Sequence, residues 1–550
     1  MGSGAPDLRG RAETGNTESR SACIGEYCTE RIAHSSRDRG FYRGGHASRR
    51  GRARDGDSGN RRAYLLRAIA ESNTIPQRFV LAVAVVYAGL WMVWAIRTHA
   101  GSRFAGAIYG ITAALILSPL LWESTTRFRV LSPTFTAMVL AAFFVLTLAL
   151  ASRRNLQVLP WVAALATVIT AWALIIATHD LVPFTAALLA IALATEVAVG
   201  LGQRLSSRAV PAIAADLAVW LSIALITSSR GMPAGFPRVA PLMLTVLCFA
   251  PFVIYGGSIG IRNFGFHSQM TVFEIAQGVA ALMLATLGAM RISDGSAEPW
   301  LGVLFLLLAA TCYWGALSRF AGVAYARNRL VCASWAAALL LASSFLLFSS
   351  NLRVPFLCLA AAAAVLAYAR TGGLSLGVHA DVYLVAAAGV SSLPNYVENA
   401  LGGTVPGTPG WGVWIVVASA MLCCGAGSRR LQDHGKRRLI WMVPALLLGF
   451  AGAALAVAAI LRLAPGRLEL SASRLSVVRT VVICSLALGF GFFGSRWKRV
   501  ELGWVAYSAV VLGALKLLLE DLRFGNATSL MISLLSYGLV LVLLPRLVHH

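Results

Sequence analysis

Residues 181–228 read LVPFTAALLAIALATEVAVGLGQRLSSRAVPAIAADLAVWLSIALITS. Two apolar runs, 181–200 and 209–228, are joined by a short link that holds Arg204 and Arg208. Each run has about 20 residues, which at about 1.5 Å per residue spans the roughly 30 Å hydrocarbon core of a bilayer. The runs are continuously apolar and do not alternate, which argues against strands of a membrane barrel. The segment reads as a helical hairpin in a membrane. Each helix carries one acid, Glu196 in the first and Asp216 in the second.

The same pattern recurs on both sides. Seventeen such runs are expected across 79–546, among them 79–96, 376–393 and 409–427, with short loops between them. No loop has the length of a folded soluble domain. The longest, from Pro394 to Thr408, reads as a re-entry or a plain connector. The fold class is therefore all-α, a polytopic integral membrane protein. Composition agrees: of 550 residues, 58% are hydrophobic and 13% charged, against roughly 25% charged in soluble domains. Soluble enzymes, coiled coils, collagen and disulfide scaffolds are excluded. Trp91, Trp94, Trp122, Trp161, Trp300, Trp411, Trp441 and Trp504 sit near expected span ends, as an interfacial belt would. Gly106 with Gly110, and Gly256 with Gly260, are expected to admit close helix contacts.

Residues 1–78 form a separate Arg-rich tail with the composition of a disordered segment. It has no apolar signal-peptide core. It reads either as a lipid-binding arm or as a stretch upstream of the true start. The net charge is +24, of which the residues before Phe79 contribute +6. The remainder is dispersed between spans, which points to anionic membrane lipids as partners and not to nucleic acid. The basic stretches Arg319–Arg329, Arg429–Arg438 and Arg496–Arg499 are expected on the inner side. With seventeen spans they lie opposite the N-terminus, so the side of the tail stays open. Seven of the nine Cys lie in apolar runs, and Cys23 and Cys28 in the tail lack a zinc or redox spacing. All nine read as structural or incidental.

Ionisable groups inside a span are costly and are the first candidates for function. Asp216 lies about seven residues, roughly 10 Å, into its helix, too deep for its short stem to snorkel. Glu196 sits at similar depth near the same face. A hairpin brings the two together, where they would share a proton, or leaves them apart, paired with the link arginines. Glu274 and Gln277 share a helix face after His267, and Glu274 suits a helix N-terminus. Together, Glu196, Asp216 and Glu274 are the expected substrate or ion path. His379 and Asp381 flank the start of another span, but residues two apart do not share a helix face. Arg479 sits about one turn inside its span and can snorkel. There is no catalytic motif, no metal site and no cofactor site.

The last 35 residues bear a family pattern. Lys516 is followed after five residues by Asp521, then by Ser533 and Gly538 ahead of a leucine-rich final run. This resembles the C-terminal signature of a family of uncharacterised many-spanning bacterial membrane proteins, a domain of unknown function. The family's Arg at the place of Leu530 and its N-terminal coiled coil are absent here. The resemblance implies a bacterial inner-membrane location and supplies no activity. Lys516 and Asp521 are expected to form a helix-end anchor, or a lipid contact with the ammonium reaching the interface. The leading expectation is a transporter-like or envelope-associated protein without enzyme activity of its own, with envelope proteins as further partners. The alternatives are a membrane enzyme of envelope glycan or lipid-linked sugar chemistry, with His379, Asp381 and Glu398 lining an outer cavity, and a membrane scaffold. Multi-spanning glycosyltransferases resemble the chain in hydropathy, but they carry catalytic carboxylates in a large outer loop, and this chain has none.

Overall fold

The computed structural model describes residues 77–548, except for 98–102, 155–157, 204, 229–232, 234, 267, 321, 323–324, 403–406, 429–436, 464–471 and 523–525. The chain divides at Gly59, and every described residue belongs to the second unit. The expected tail, with Cys23 and Cys28, lies outside the described residues except for 77–78. Among the described residues there is no strand.

The first eight long helices are α1 (Gln77–Arg97), α2 (Arg103–Thr126), α3 (Pro133–Arg154), α4 (Val158–Thr178), α5 (Leu181–Gly200), α6 (Ala209–Ile226), α7 (Pro241–Gly265) and α8 (Val272–Ile292). They are followed by α9 (Glu298–Arg319), α10 (Ala326–Leu347), α11 (Ser350–Thr371), α12 (Leu374–Val390) and α13 (Leu393–Leu401). The last five are α14 (Trp411–Ser428), α15 (Arg437–Leu463), α16 (Ala472–Arg496), α17 (Val500–Asp521) and α18 (Ala527–Val548). Local chemistry sets several ends. Pro133 and Pro241 open α3 and α7, where the missing N–H costs nothing. Gly372, at φ 72°, closes α11 in the left-handed region that glycine enters without strain.

Fourteen described helices are long and apolar enough to cross a membrane, fifteen if the bent pair α12–α13 counts as one span. The expected seventeen is not reached on that criterion. The helices under 79–96 and 409–427 contribute only shorter apolar stretches, Val85–Ala95 and Trp411–Ala426. The segment after Val390, expected as a re-entry or a plain connector, holds a short helix. Ser392 turns into the left-handed region at φ 59°, and the chain bends by 66° into α13. Leu393, Tyr396, Ala400 and Leu401 are buried, while Asn395, Glu398 and Asn399 are exposed. This is an amphipathic helix.

Packing obeys the rules of a lipid solvent. Fully buried positions are dominated by small residues, such as Ala95, Ala164, Ala215, Ala336, Ala361 and Ala454, while Ile176, Leu359 and Leu535 are about 70% exposed. Lipid tails are as apolar as leucine, so large side chains gain little by turning inward and close contact between small ones holds the helices. One core joins α1 to α8, a second joins α10 to α15, and a third joins α13 to α18. Gly110 meets Leu159 of α4 closely, as expected. Gly256 and Gly260 do not make a helix contact of this kind: Gly260 has nothing within 4 Å, and Gly256 faces only Phe252 of its own helix. Trp300 and Trp504 are exposed, but Trp91 is buried against Tyr87 and Tyr109.

Gly288 of α8 tests this packing well, because its neighbour includes a Cβ that cannot swing aside. A Cβ there would lie 2.6 Å from Cβ and Sγ of Cys248 on α7. Gly288→Ala is expected to destabilise by about 1–3 kcal/mol through overpacking. The companion change Cys248→Ala should recover part of that loss in a thermal-unfolding measurement in detergent. Equal melting temperatures for wild type and Gly288→Ala would show that the α7–α8 contact is looser than described.

Candidate functional site

Most buried hydroxyls are satisfied inside their own helix and are chemically silent. Thr147, Thr167, Thr195 and Ser222 each donate to the carbonyl four residues earlier. Against that background three assemblies stand out, in which polar side chains from different helices meet.

The first lies where α5, α6, α7 and α8 come together. A 3-10 turn, Ser206–Arg208, opens α6 and aims Arg208 across the bundle. Its Nε and Nη2 donate to both oxygens of Glu196 at 2.7 and 3.0 Å, and its Nη1 donates to Glu274 Oε1 at 3.2 Å. Such a two-point fork is the geometry guanidinium is built for. Ser258 Oγ donates to Glu196 at 2.6 Å, and Arg262 also pairs with Glu274. Glu274 accepts from the Thr271 backbone while Thr271 Oγ1 accepts from the Glu274 backbone, a capping box that starts α8. Asn328 of α10 fixes the preceding segment by accepting from Met270 N at 2.8 Å and donating to Ser268 O at 2.7 Å. The two carboxylates and two guanidiniums balance in charge.

Deeper in the same bundle, Gln277 Nε2 donates to Asp216 Oδ2 at 2.5 Å. Asp216 Oδ1 and the Tyr255 hydroxyl are buried and have no hydrogen-bond partner. Among the described residues no cation contacts Asp216. Tyr255 reaches this region from a π turn, Phe252–Gly256, and a second π turn, Ile261–Gly265, carries Arg262. Each π turn inserts an extra residue and rotates the rest of the helix about its axis, a distortion frequent at functional sites.

The expected path residues are thus brought into one bundle, but not as a carboxylate pair. Glu196 accepts from Arg208 of the link and from Ser258, and Asp216 accepts from Gln277, so the two carboxylates are not bonded to each other. Arg204 and His267 lie outside the described residues. Sequence reasoning missed Tyr255, Ser258 and Arg262. The spacing of Ser258 and Arg262, four apart on one helix face, was the available signal.

The second assembly joins α9 and α12. Tyr313 Oη lies 2.6 Å from Tyr383 Oη and 3.0 Å from His379 Nδ1. The helix starts at Leu374, so His379 and Asp381 lie inside it and do not flank its start. As expected they face different ways. Glu398 is exposed on α13, beyond the bend. The three residues expected to line one outer cavity do not gather.

The third assembly joins α16 and α17. Lys516 is 8% exposed and donates to Ser476 O and Oγ, both at 2.9 Å, Thr480 Oγ1 at 2.8 Å and Asp521 Oδ1 at 2.5 Å. Ser476 also donates to Asp521, and so does Thr480, at 2.9 Å. A π turn, Leu517–Asp521, folds the acid back under the ammonium. This corrects the expectation that Lys516 reaches the interface or touches lipid: its three protons are all used inside the protein. Arg479 is corrected likewise. It is 1% exposed, donates to Ala400 O at 2.8 Å and Asn399 O at 3.1 Å, and pairs with Glu520 at 2.8 Å. A cation at the C-terminal carbonyls of α13 complements the helix dipole and ties the bent helix to α16. Every described cysteine is a free thiol.

No family model matches the chain, and no curated protein and no solved structure is significantly similar to it.

Proposed function

We propose that this integral membrane protein is a transporter-like protein of the bacterial inner membrane, without enzyme activity of its own, in which a substrate or its coupling cation passes Asp216. One observation carries the reading. Charges around Glu196 and Glu274 are balanced, whereas among the described residues Asp216 Oδ1 and the Tyr255 hydroxyl stand buried and unmatched beside them. An intramembrane carboxylate without a counter-ion is neutralised most cheaply by taking up a proton or cation, the chemistry of coupled transport. The flanking π turns support it, since irregular backbone in a membrane is tolerated where it lines a polar site. Membership of the many-spanning bacterial family and contact with anionic lipid at the basic face belong to the same proposal.

The test is a thermal-unfolding screen of detergent-purified protein against ions, sugars, lipid-linked sugars and anionic lipids. A ligand of the native state at a hundred times its Kd adds about 2.7 kcal/mol of stability. Asp216→Asn is expected to leave basal stability within about 1 kcal/mol of wild type, because the amide oxygen still accepts from Gln277. The same variant should abolish the ligand response. A ligand that stabilises both proteins equally does not bind at Asp216, and if every stabilising ligand does so, Asp216 is not on the path. Stabilisation by lipid-linked sugars alone, indifferent to Asp216, turns the assignment toward the enzyme reading.

A further inference from the structure

Beside α5 and α6, α12 also carries a deep carboxylate. Asp381 lies seven residues beyond its first residue, Leu374, just as Asp216 lies seven beyond Ala209 in α6. Both carboxylates therefore sit about 10 Å along their helices. Asp381 makes no hydrogen bond and no ion pair among the described residues. Its carboxylate borders a small cavity between α11, α12, α14 and α15, walled by Val365, Tyr368, Cys423, Ile440 and Trp441. The cavity has room for roughly one water-sized occupant. Tyr368 is 1% exposed, and its hydroxyl makes no hydrogen bond among the described residues. Among the described residues, an unmatched carboxylate and an unmatched hydroxyl thus border one small void.

We propose that Asp381 and Tyr368 form a second, separate site that binds a small monovalent cation of about the size of Na+. The donors are oxygens, which suit a hard cation. One carboxylate offers one negative charge, so a divalent ion would leave a net positive charge in an apolar bundle. A transition metal is disfavoured because His379, two residues away, is turned to Tyr313, and no cluster of three His, Cys, Asp or Glu occurs among the described residues. Arg499 stacks on Trp441 at 5.2 Å, and no ion pair joins it to Asp381 among the described residues. The site stands on its own observations and does not depend on the reading of Asp216.

The experiment is a sodium titration of the melting temperature of the purified full-length protein. Ionic strength is held with choline chloride, whose cation is too large for the cavity. Wild type and Asp216→Asn should both show a saturable rise, and Asp381→Asn should not. Tyr368→Phe keeps the carboxylate and removes one oxygen, so it should shift the midpoint of the response upward by roughly five- to tenfold. It also serves if Asp381→Asn does not fold. No sodium response in wild type overturns the proposal. So does a response lost in Asp216→Asn and kept in Asp381→Asn. A melting temperature that ignores sodium but tracks pH through Asp381 makes this a proton site and overturns the cation assignment.

Discussion

Arg208→Ala should cost about 3–5 kcal/mol of stability, because it leaves buried carboxylates without their counter-charge. The Glu196 and Glu274 side chains are only 3% and 1% exposed. Glu274 would keep Arg262 and the Thr271 backbone, but Glu196 would keep only Ser258. Most of the loss is therefore assigned to Glu196. Two further variants separate charge from packing. Arg208→Lys should fall between the two, since an ammonium cannot form the two-point fork to Glu196 and reach Glu274 as well. Glu196→Gln in the Arg208→Ala background should recover a large share, because it removes the stranded charge. Thermal unfolding in detergent reads all three. Wild-type stability in Arg208→Ala would mean that the four-helix polar network does not hold this bundle.

Lys516→Met is the second large effect, again about 3–5 kcal/mol. The ammonium is the only described cation bonded to Asp521, whose side chain is 2% exposed. It also ties α17 to the Ser476 carbonyl of α16. The double variant Lys516→Met with Asp521→Leu should return most of the stability, since an apolar pair of similar volume often replaces a buried ion pair at no loss. The two single changes are thus expected to be strongly non-additive. Additive losses would indicate that Lys516 acts through its backbone and hydroxyl contacts and not through the acid. A membrane-lipid role for Lys516 would instead make stability depend on anionic lipid, which its burial argues against.

The functional residues were partly legible. Glu196, Asp216 and Glu274 stood out because an acid deep in an apolar run has few cheap explanations. Glu274 read as an acid suited to a helix start, and the structure seats it there in a capping box with Thr271. What could not be read was which groups neutralise them. Arg208 contacts Glu274 across 66 residues of chain, and Gln277 contacts Asp216 across 61. Helical periodicity says which side of one helix a residue occupies, but not which helix lies opposite. The expected start of α12 falls two residues late, which sets Asp381 at a span's edge and hides its depth. Lys516 and Arg479 read as snorkelling because their stems are long enough. In the structure, a π turn and a bent helix supply inward partners that no sequence spacing announces.

The sequence by itself determined that this chain is an array of apolar helices joined by short loops. Hydrocarbon offers the backbone no hydrogen bonds, so runs of some 20 apolar residues have helices as their stable form. It also determined which few residues are expensive to place there. Only the tertiary structure decided that Glu196 and Glu274 are held by Arg208, that Asp216 and Asp381 have no counter-charge among the described residues, and that Lys516 turns inward. Those outcomes depend on the rotation and bending of each helix against its neighbours. Rotation and bending are set by close contacts such as Gly288 with Cys248, by the π turns and by the 66° break before α13, and none of these leaves a periodic mark on the sequence.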